Sequence, residues 1–233
     1  MRHLKVFIKG DTINLCKPTL EFARKSNWYS WFNDKTITKY LLSKYQKEKN
    51  TPKKQEKFFL AENKKRLILI ISTKKKIYKG VVSLSFINKE RNSCDIAIVT
   101  DTSIEPEVAP YAALEAIARI TEYAFKHMNI KNIYGTGHIN LRNWQQRMEL
   151  FGYRVDAIKK NEFMNNKLLP TLYTISCCFD DYVQILKTRN KFWDSLSNMK
   201  KRIDKLPKIT FRDMLIKFLD SEGEKYYKKI FKI

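Results

Sequence analysis

The chain has 233 residues, 43% of them hydrophobic and 13% aromatic, enough to bury a sizeable core in one large domain or one domain with an appendage. No apolar run approaches the roughly 20 residues that span a bilayer. The N-terminus has no signal-like apolar stretch, so the expectation is a cytoplasmic protein without a membrane span. The formal net charge of +22 has three possible origins: a nucleic-acid or ribosomal partner, a polyanionic small ligand steered to its site, or a lysine-rich composition of the kind AT-rich coding produces. The lysines are scattered and no nucleic-acid motif accompanies them, which weighs against the first.

The four cysteines, Cys16, Cys94, Cys177 and Cys178, form no CxxC pair. His3, His127 and His138 stand at no ligand spacing from them. They read as reduced, mostly apolar-packed thiols, with no metal site.

In chain order, KVFIKGDTINLCKP reads as two strands about a turn at Gly10-Asp11. A helical face follows from about Thr19, through Leu20, Phe22, Ala23, Trp28, Trp31 and Phe32. Residues 44–57 are very polar and read as a loop, with Pro52 near a new helix start. Arg66 to Ser72 is a continuous β-branched run, expected as a buried central strand. Ile77 to Ile87, with a bulge expected at Gly80, and Cys94 to Thr100 alternate and complete an antiparallel meander. The strongest helix spans Pro110 to Met128. A strand at Asn132 to His138 and a helix from about Asn143 to a stop at Gly152 come next. Tyr153 to Lys159 and Leu172 to Cys178 read as the last strands, with a turn at Asn165-Asn166.

From Tyr182 onward there are 14 Lys and Arg against 6 Asp and Glu. Ile185, Leu186, Phe192, Trp193, Leu196, Met199 and Ile203 read as one helical repeat broken at Pro207. Two further amphipathic helices are expected at Phe211–Leu219 and Glu222–Phe231. Their apolar content predicts docking on the core or on a partner rather than disorder.

This order of elements resembles the GNAT superfamily of N-acetyltransferases. WYSWFNDKTITKYL (28–41) is similar to the W-x-N-D-x-x-V-x-x-Y-L segment of the ribosomal-protein N-terminal acetyltransferase branch. ALEAIARITEYAF (113–125) resembles that family's long helix, with Glu115-Ala116 in its E-A positions. GHINLRNWQQRMELFGY (137–153) resembles its N-x-x-S…G-F closing segment. NWQQRMELFGY and the basic extension further resemble acetyltransferases of bacterial surface-sugar clusters, which act on amino groups of nucleotide-linked sugars.

The resemblance covers roughly residues 7–180. It implies an α+β GNAT fold: a mixed, mostly antiparallel sheet with splayed strands, flanked by helices. The domain would span 1–180, with a basic helical extension over 181–233. It also implies acetyl-CoA (coenzyme A) as cosubstrate, its pantetheine paired with backbone of Ile98, Val99 and Thr100 and lying between that strand and Ile133 to His138.

The family's glycine-rich pyrophosphate loop aligns with Val108-Ala109-Pro110-Tyr111-Ala112-Ala113. Both glycine positions are lost, to Ala109 and Tyr111, and Pro110 removes an N–H donor. The implied phosphate contacts are Val108, Ala109, Tyr111 and Ala112, with Asn140 or Asn143 as the cofactor-contacting asparagine. Asp95 and His138 are the candidate catalytic bases. The family's general-acid tyrosine falls on Met148, and the facing of nearby Tyr134 and Tyr153 is open. Trp28, Tyr29 and Trp31 are candidates for the acceptor pocket, with core packing as the alternative for a tryptophan.

Three functions follow as expectations. The first is acetyl transfer to the primary amine of a nucleotide-linked sugar. The second is acetylation of a protein N-terminus. The third is a non-catalytic binding module with a degenerate cofactor loop. The oligomeric state is open, with a homodimer among the choices.

Overall fold

The computed structural model describes residues 3–38, 41, 49–101, 109–160, 163–164, 167–168 and 171–232. The expected Asn165-Asn166 turn and Val108 lie outside the described residues. Strands β1 (Val6–Lys9) and β2 (Ile13–Cys16) form the expected hairpin. Helix α1 (Leu20–Lys25) starts at Thr19, whose hydroxyl accepts the Phe22 N–H at 3.1 Å, a normal N-cap. Short helices α2 (Trp28–Trp31) and α3 (Lys35–Thr38) follow. Helix α4 (Pro52–Glu62) opens on the Thr51 cap, with proline in its first turn, where no N–H is missed.

The meander is β3 (Leu67–Thr73), β4 (Tyr78–Asn88) and β5 (Ser93–Thr100). The β3–β4 register shifts beside Gly80, because Ile71 pairs with Gly80 and Ser72 with Tyr78. A Cβ at Gly80 would stand 2.5 Å from the Val99 carbonyl oxygen, so the close approach of β5 requires glycine there. Helix α5 (Ala109–His127) then crosses to β6 (Asn132–His138). Its alanines 112, 113 and 116 let it lie close on the sheet, and all three are buried. Helix α6 (Arg142–Glu149) ends with Leu150 as its C-cap, and the turn that follows places Gly152 at φ +75°. Strands β7 (Arg154–Lys159), β8 (Phe163–Met164), β9 (Lys167–Leu168) and β10 (Leu172–Cys178) complete the strand inventory of the described residues.

The eight-stranded sheet runs β1-β2-β3-β4-β5-β6-β10-β7. Every neighbouring pair is antiparallel except β5 and β6, which are parallel. This is the mixed, mostly antiparallel sheet that the resemblance implied. Two hydrophobic clusters cover its faces. The larger joins α5, α6 and the tail to the sheet through residues such as Ile96, Ile117 and Phe151. The smaller packs α1, α2 and α4 through Phe22, Trp28 and Phe59.

The tail departs from the expected single repeat. Helix α7 (Phe179–Arg189) ends at Asn190 in the left-handed conformation, φ 62°. Neighbours on a helix stand about 100° apart, which makes full burial of both Phe192 and Trp193 on one face difficult. Off the helix, they are 1% and 2% exposed and meet Phe151 at ring distances of 5.1 and 6.1 Å. The start of the extension therefore shares the main core. Helix α8 (Leu196–Asp204) packs Met199 inward. Helices α9 (Phe211–Phe218) and α10 (Glu224–Phe231) are joined by a π-turn over Leu219–Gly223. They bury Thr210 and Arg212 at their start and leave Phe211, Met214, Tyr226 and Phe231 exposed.

Candidate active site

Strands β5 and β6 pair over only three positions: Ser93 with Asn132, Cys94 with Ile133, and Asp95 with Tyr134. Beyond that they part, and Ile96 to Thr100 keep β4 as their ladder partner on one side alone. The gap is a cavity of about 440 Å³. Its walls are Ile96 to Thr100 of β5, Gly135, Thr136 and Gly137 of β6, and Tyr173 and Ile175 of β10. Ala113 and Ile117 of α5 and Trp144, Arg147 and Met148 of α6 close one side; Thr36, Ile37 and Leu41 close the other. The opening thus passes through the sheet between its two helical layers.

The missing side chains at Gly135 and Gly137 hold the wedge open. A Cβ at Gly135 would stand 3.2 Å from Ile175 Cγ1 and 3.5 Å from Ile96 Cγ2. A Cβ at Gly137 would stand 2.3 Å from Tyr173 Oη.

Of the sequence-predicted residues, Ile98, Val99 and Thr100 line this cavity. Asp95 sits at the fork, one residue before the lining begins, and its partial burial raises its carboxyl pKa. His138 lies at the far end of β6, outside the lining. Its Nδ1 accepts the Asn140 N–H at 3.1 Å, and burial lowers its pKa, which favours the neutral ring. Asn140 and Asn143 are both exposed and outside the cavity wall.

Ala109 is the first residue of α5, and the first four N–H positions of a helix have no partner within it. Ala112 is wholly buried, so only its backbone could meet a ligand. Tyr111 packs at the edge of the core with Lys200 Nζ of α8 5.5 Å from its ring centroid.

The acceptor-pocket expectation needs correction. Trp28 is wholly buried and Trp31 is 3% exposed. Both belong to the cluster under α1, α2 and α4, where Trp28 packs edge-on against Phe58 and Phe59. Tyr29 is half-buried and also stands outside the lining. Turning both indoles inward buries more apolar area than lining a cavity would, and α3 supplies the wall instead.

Sequence reasoning also missed Trp144, Arg147 and Tyr173. Tyr134 is exposed, and Tyr153 spends its hydroxyl on Thr121, 2.6 Å away in full burial. Neither lines the wedge. Tyr173 does. The signal was present in the alternation of Leu172 to Cys178, which puts Tyr173 in phase with buried Ile175 and Cys177. Among the described residues no cluster of His, Cys, Asp and Glu could hold a metal ion, and no helix is long and apolar enough to cross a membrane.

No family model and no curated protein matches this chain. Solved structures do. The microcin C7 self-immunity acetyltransferase, in complex with acetyl-CoA and AMP, is 21% identical with a TM-score of 0.59, covering 73% of this chain and 94% of its own. The spermidine N-acetyltransferase of Vibrio cholerae, in complex with CoA and spermine, is 16% identical with a TM-score of 0.63, covering 74% and 98%. A GNAT-family acetyltransferase from Bacillus anthracis is 16% identical with a TM-score of 0.59, covering 76% and 98%. At these identities the likeness establishes architecture: the chain has the GNAT acetyltransferase fold.

Proposed function

We propose that this protein is an acetyl-CoA-dependent N-acetyltransferase whose acceptor is a primary amine on an anionic small molecule, most specifically a nucleotide-linked amino sugar. The wedge between β5 and β6 carries the reading. A single strand edge with unspent hydrogen-bonding groups, facing a cavity kept open by two glycines, suits an extended ligand that carries amides of its own. Ile98 to Thr100 would hold the pantetheine arm. The α5 N-terminus at Ala109, Tyr111 and Ala112, with Lys200 beside Tyr111, would meet the pyrophosphate. When bound, the cosubstrate supplies an acetyl group activated as a thioester.

The chain's own residues supply the rest. Asp95, held at the fork with a raised pKa, takes the amine's proton, through water where the acceptor stands off. Apolar walls from Ile37, Leu41, Ile96 and Trp144 exclude bulk water.

The net charge of +22 favours the acceptor class. It repels a polycation such as the spermine in the Vibrio cholerae structure and attracts a nucleotide. The AMP in the microcin immunity enzyme's structure is a precedent for a nucleotide at this fold. A protein N-terminus on an RNA-rich target is the second reading, supported by the same charge.

Calorimetry with acetyl-CoA, followed by thiol release on a panel of amines, tests the proposal. Binding with turnover on an amino-sugar nucleotide supports it. Binding without turnover on any amine leaves the non-catalytic module, and no heat at millimolar ligand removes the cofactor altogether.

A further inference from the structure

Of the thirteen large hydrophobic side chains left exposed among the described residues, eight lie within 209–231. The concentration is greatest on α10, where every residue of Glu224–Phe231 is exposed and none is buried. Tyr226, Tyr227, Ile230 and Phe231 are 54–65% exposed. Tyr227 stacks on Phe231 with ring centroids 6.1 Å apart, and Tyr226 meets Tyr227 edge-on at 5.5 Å.

The helix is nonetheless sorted by side. At about 100° per residue, these four side chains fill one arc of roughly 140°. Lys225, Lys228, Lys229 and the cap residue Lys232 fill the opposite arc, with Lys228 and Lys229 bordering the apolar side on either flank. Glu224 is the one acid of the helix, and Lys225 pairs with Glu222 at 3.0 Å. An amphipathic helix ordinarily buries its apolar side. Here nothing among the described residues covers it.

Charge and area select the occupant. Eight helical residues span about 12 Å, and four side chains along them fall short of the roughly 800 Å² per partner in a stable protein interface. A second copy would also bring a net charge of +22 against the lysines. A nucleic-acid strand is gripped by rings and cations that share one groove, whereas here they stand on opposite sides. An anionic bilayer matches the separated arrangement. Apolar side chains sink below the headgroups, aromatic rings sit at the boundary, and long lysine stems carry their charges back to the phosphates.

We propose that α10 docks this protein on an anionic lipid surface, lying in the headgroup plane with Tyr226, Tyr227, Ile230 and Phe231 inserted and the lysines on the lipid phosphates. No residue of α10 lines the wedge, so the docking stands apart from the acyl-transfer reading.

The test is co-sedimentation of the full chain with phosphatidylcholine vesicles, with and without one-third phosphatidylglycerol, at near-physiological salt. Binding to the anionic vesicles is expected, at least about tenfold tighter than to phosphatidylcholine alone. Ile230→Ser with Phe231→Ser, and separately Lys228→Gln with Lys229→Gln, should each weaken it about tenfold. All four positions are exposed, so the melting temperature should stay within about 2 °C. Lys64→Gln with Lys65→Gln, exposed on the turn before β3, removes the same charge elsewhere and should leave affinity within about twofold. Acetyl-CoA binding without vesicles should match wild type in every variant, which keeps a failed docking distinct from a failed acyl-transfer reading.

Wild-type protein that ignores anionic vesicles overturns the proposal. An equal loss in the variant of Lys64 and Lys65 also does, because the charge of the whole molecule then explains binding. Without vesicle binding, two results would hand α10 to another occupant and equally overturn it. One is single-stranded RNA bound in fluorescence anisotropy and lost with Ile230→Ser and Phe231→Ser. The other is a dimer in analytical ultracentrifugation that the same variant abolishes.

Discussion

The Glu115 carboxylate, wholly buried on α5, grips Thr12 twice: Oε2 accepts the Thr12 N–H at 2.7 Å and the Thr12 hydroxyl at 2.6 Å. It also accepts the Ile13 N–H at 3.3 Å, the Asp11 N–H, and Arg119 Nε at 3.2 Å. One acidic residue thus satisfies the turn of the β1–β2 hairpin. Asp11 of the same turn accepts the Leu196 N–H at 2.9 Å, which ties α8 to the hairpin. The residue that carried a family resemblance in the sequence has an architectural task here.

Replacing Glu115 by Ala is expected to cost about 3–5 kcal/mol, the usual result of breaking a buried charged network from one side. Chemical denaturation should show it as a lower midpoint at unchanged slope. Gly10→Ala should be destabilising for the same reason, since its Cβ would stand 2.6 Å from Glu115 Oε1 and 2.5 Å from the Ile13 carbonyl oxygen.

Gly135→Ala separates the cavity from the fold. Its added carbon meets Ile175 and Ile96 at 3.2–3.5 Å, tight but tolerable in the free protein. The melting temperature should move by only a few degrees, on the order of 1 kcal/mol. Acetyl-CoA affinity, read by calorimetry, should fall roughly tenfold or more, about 1.4 kcal/mol, because the methyl group narrows the wedge. Unchanged affinity would move the ligand out of it.

Asp95→Asn should trade activity for stability. Burial raises the Asp95 pKa in the folded chain, so its contribution to stability is greatest in acid and is lost as pH rises through the folded pKa. A neutral amide escapes that loss. The variant should melt no lower than wild type at neutral pH while kcat falls about 100-fold. The acid limb of the wild-type pH–rate profile should be displaced upward from that of a free aspartate.

Asp194 behaves oppositely. Its carboxylate accepts from Arg202 Nη1 at 2.7 Å and Nη2 at 2.5 Å, from the Ser195 N–H at 2.9 Å and from Asn198 Nδ2 at 3.1 Å. The Arg202 hydrogen bonds lead in holding its pKa well below the usual value. The stability it contributes is present above the ordinary carboxylate range and is lost as pH falls toward the depressed value. Asp194→Asn should lower the melting temperature at pH 7 and flatten its decline in acid, as followed by thermal melts from neutral to strongly acidic pH.

Local pattern was enough for much of the architecture. A continuous β-branched run at residues 66–72, buried on both faces, and alternation over 77–87 and 94–100 mark the meander, because sheet faces repeat every two residues. The apolar face from Ala112 to Phe125 marks α5, and Gly10-Asp11 and Gly152 mark where elements stop. That pattern also placed Ile98 to Thr100 on the strand that lines the cavity. It could not say where β5 and β6 part, since pairing is a relation between residues 39 positions apart in the chain. It could not decide whether Trp28 and Trp31 face a ligand or the core, because both are equally apolar either way. Nor could it place Tyr173 in the wedge, since the space over Gly137 exists only once β10 pairs with β6. Composition and periodicity determined the layers of this protein; long-range strand registry and side-chain packing decided its cavity, because only contacts between distant segments create enclosed space.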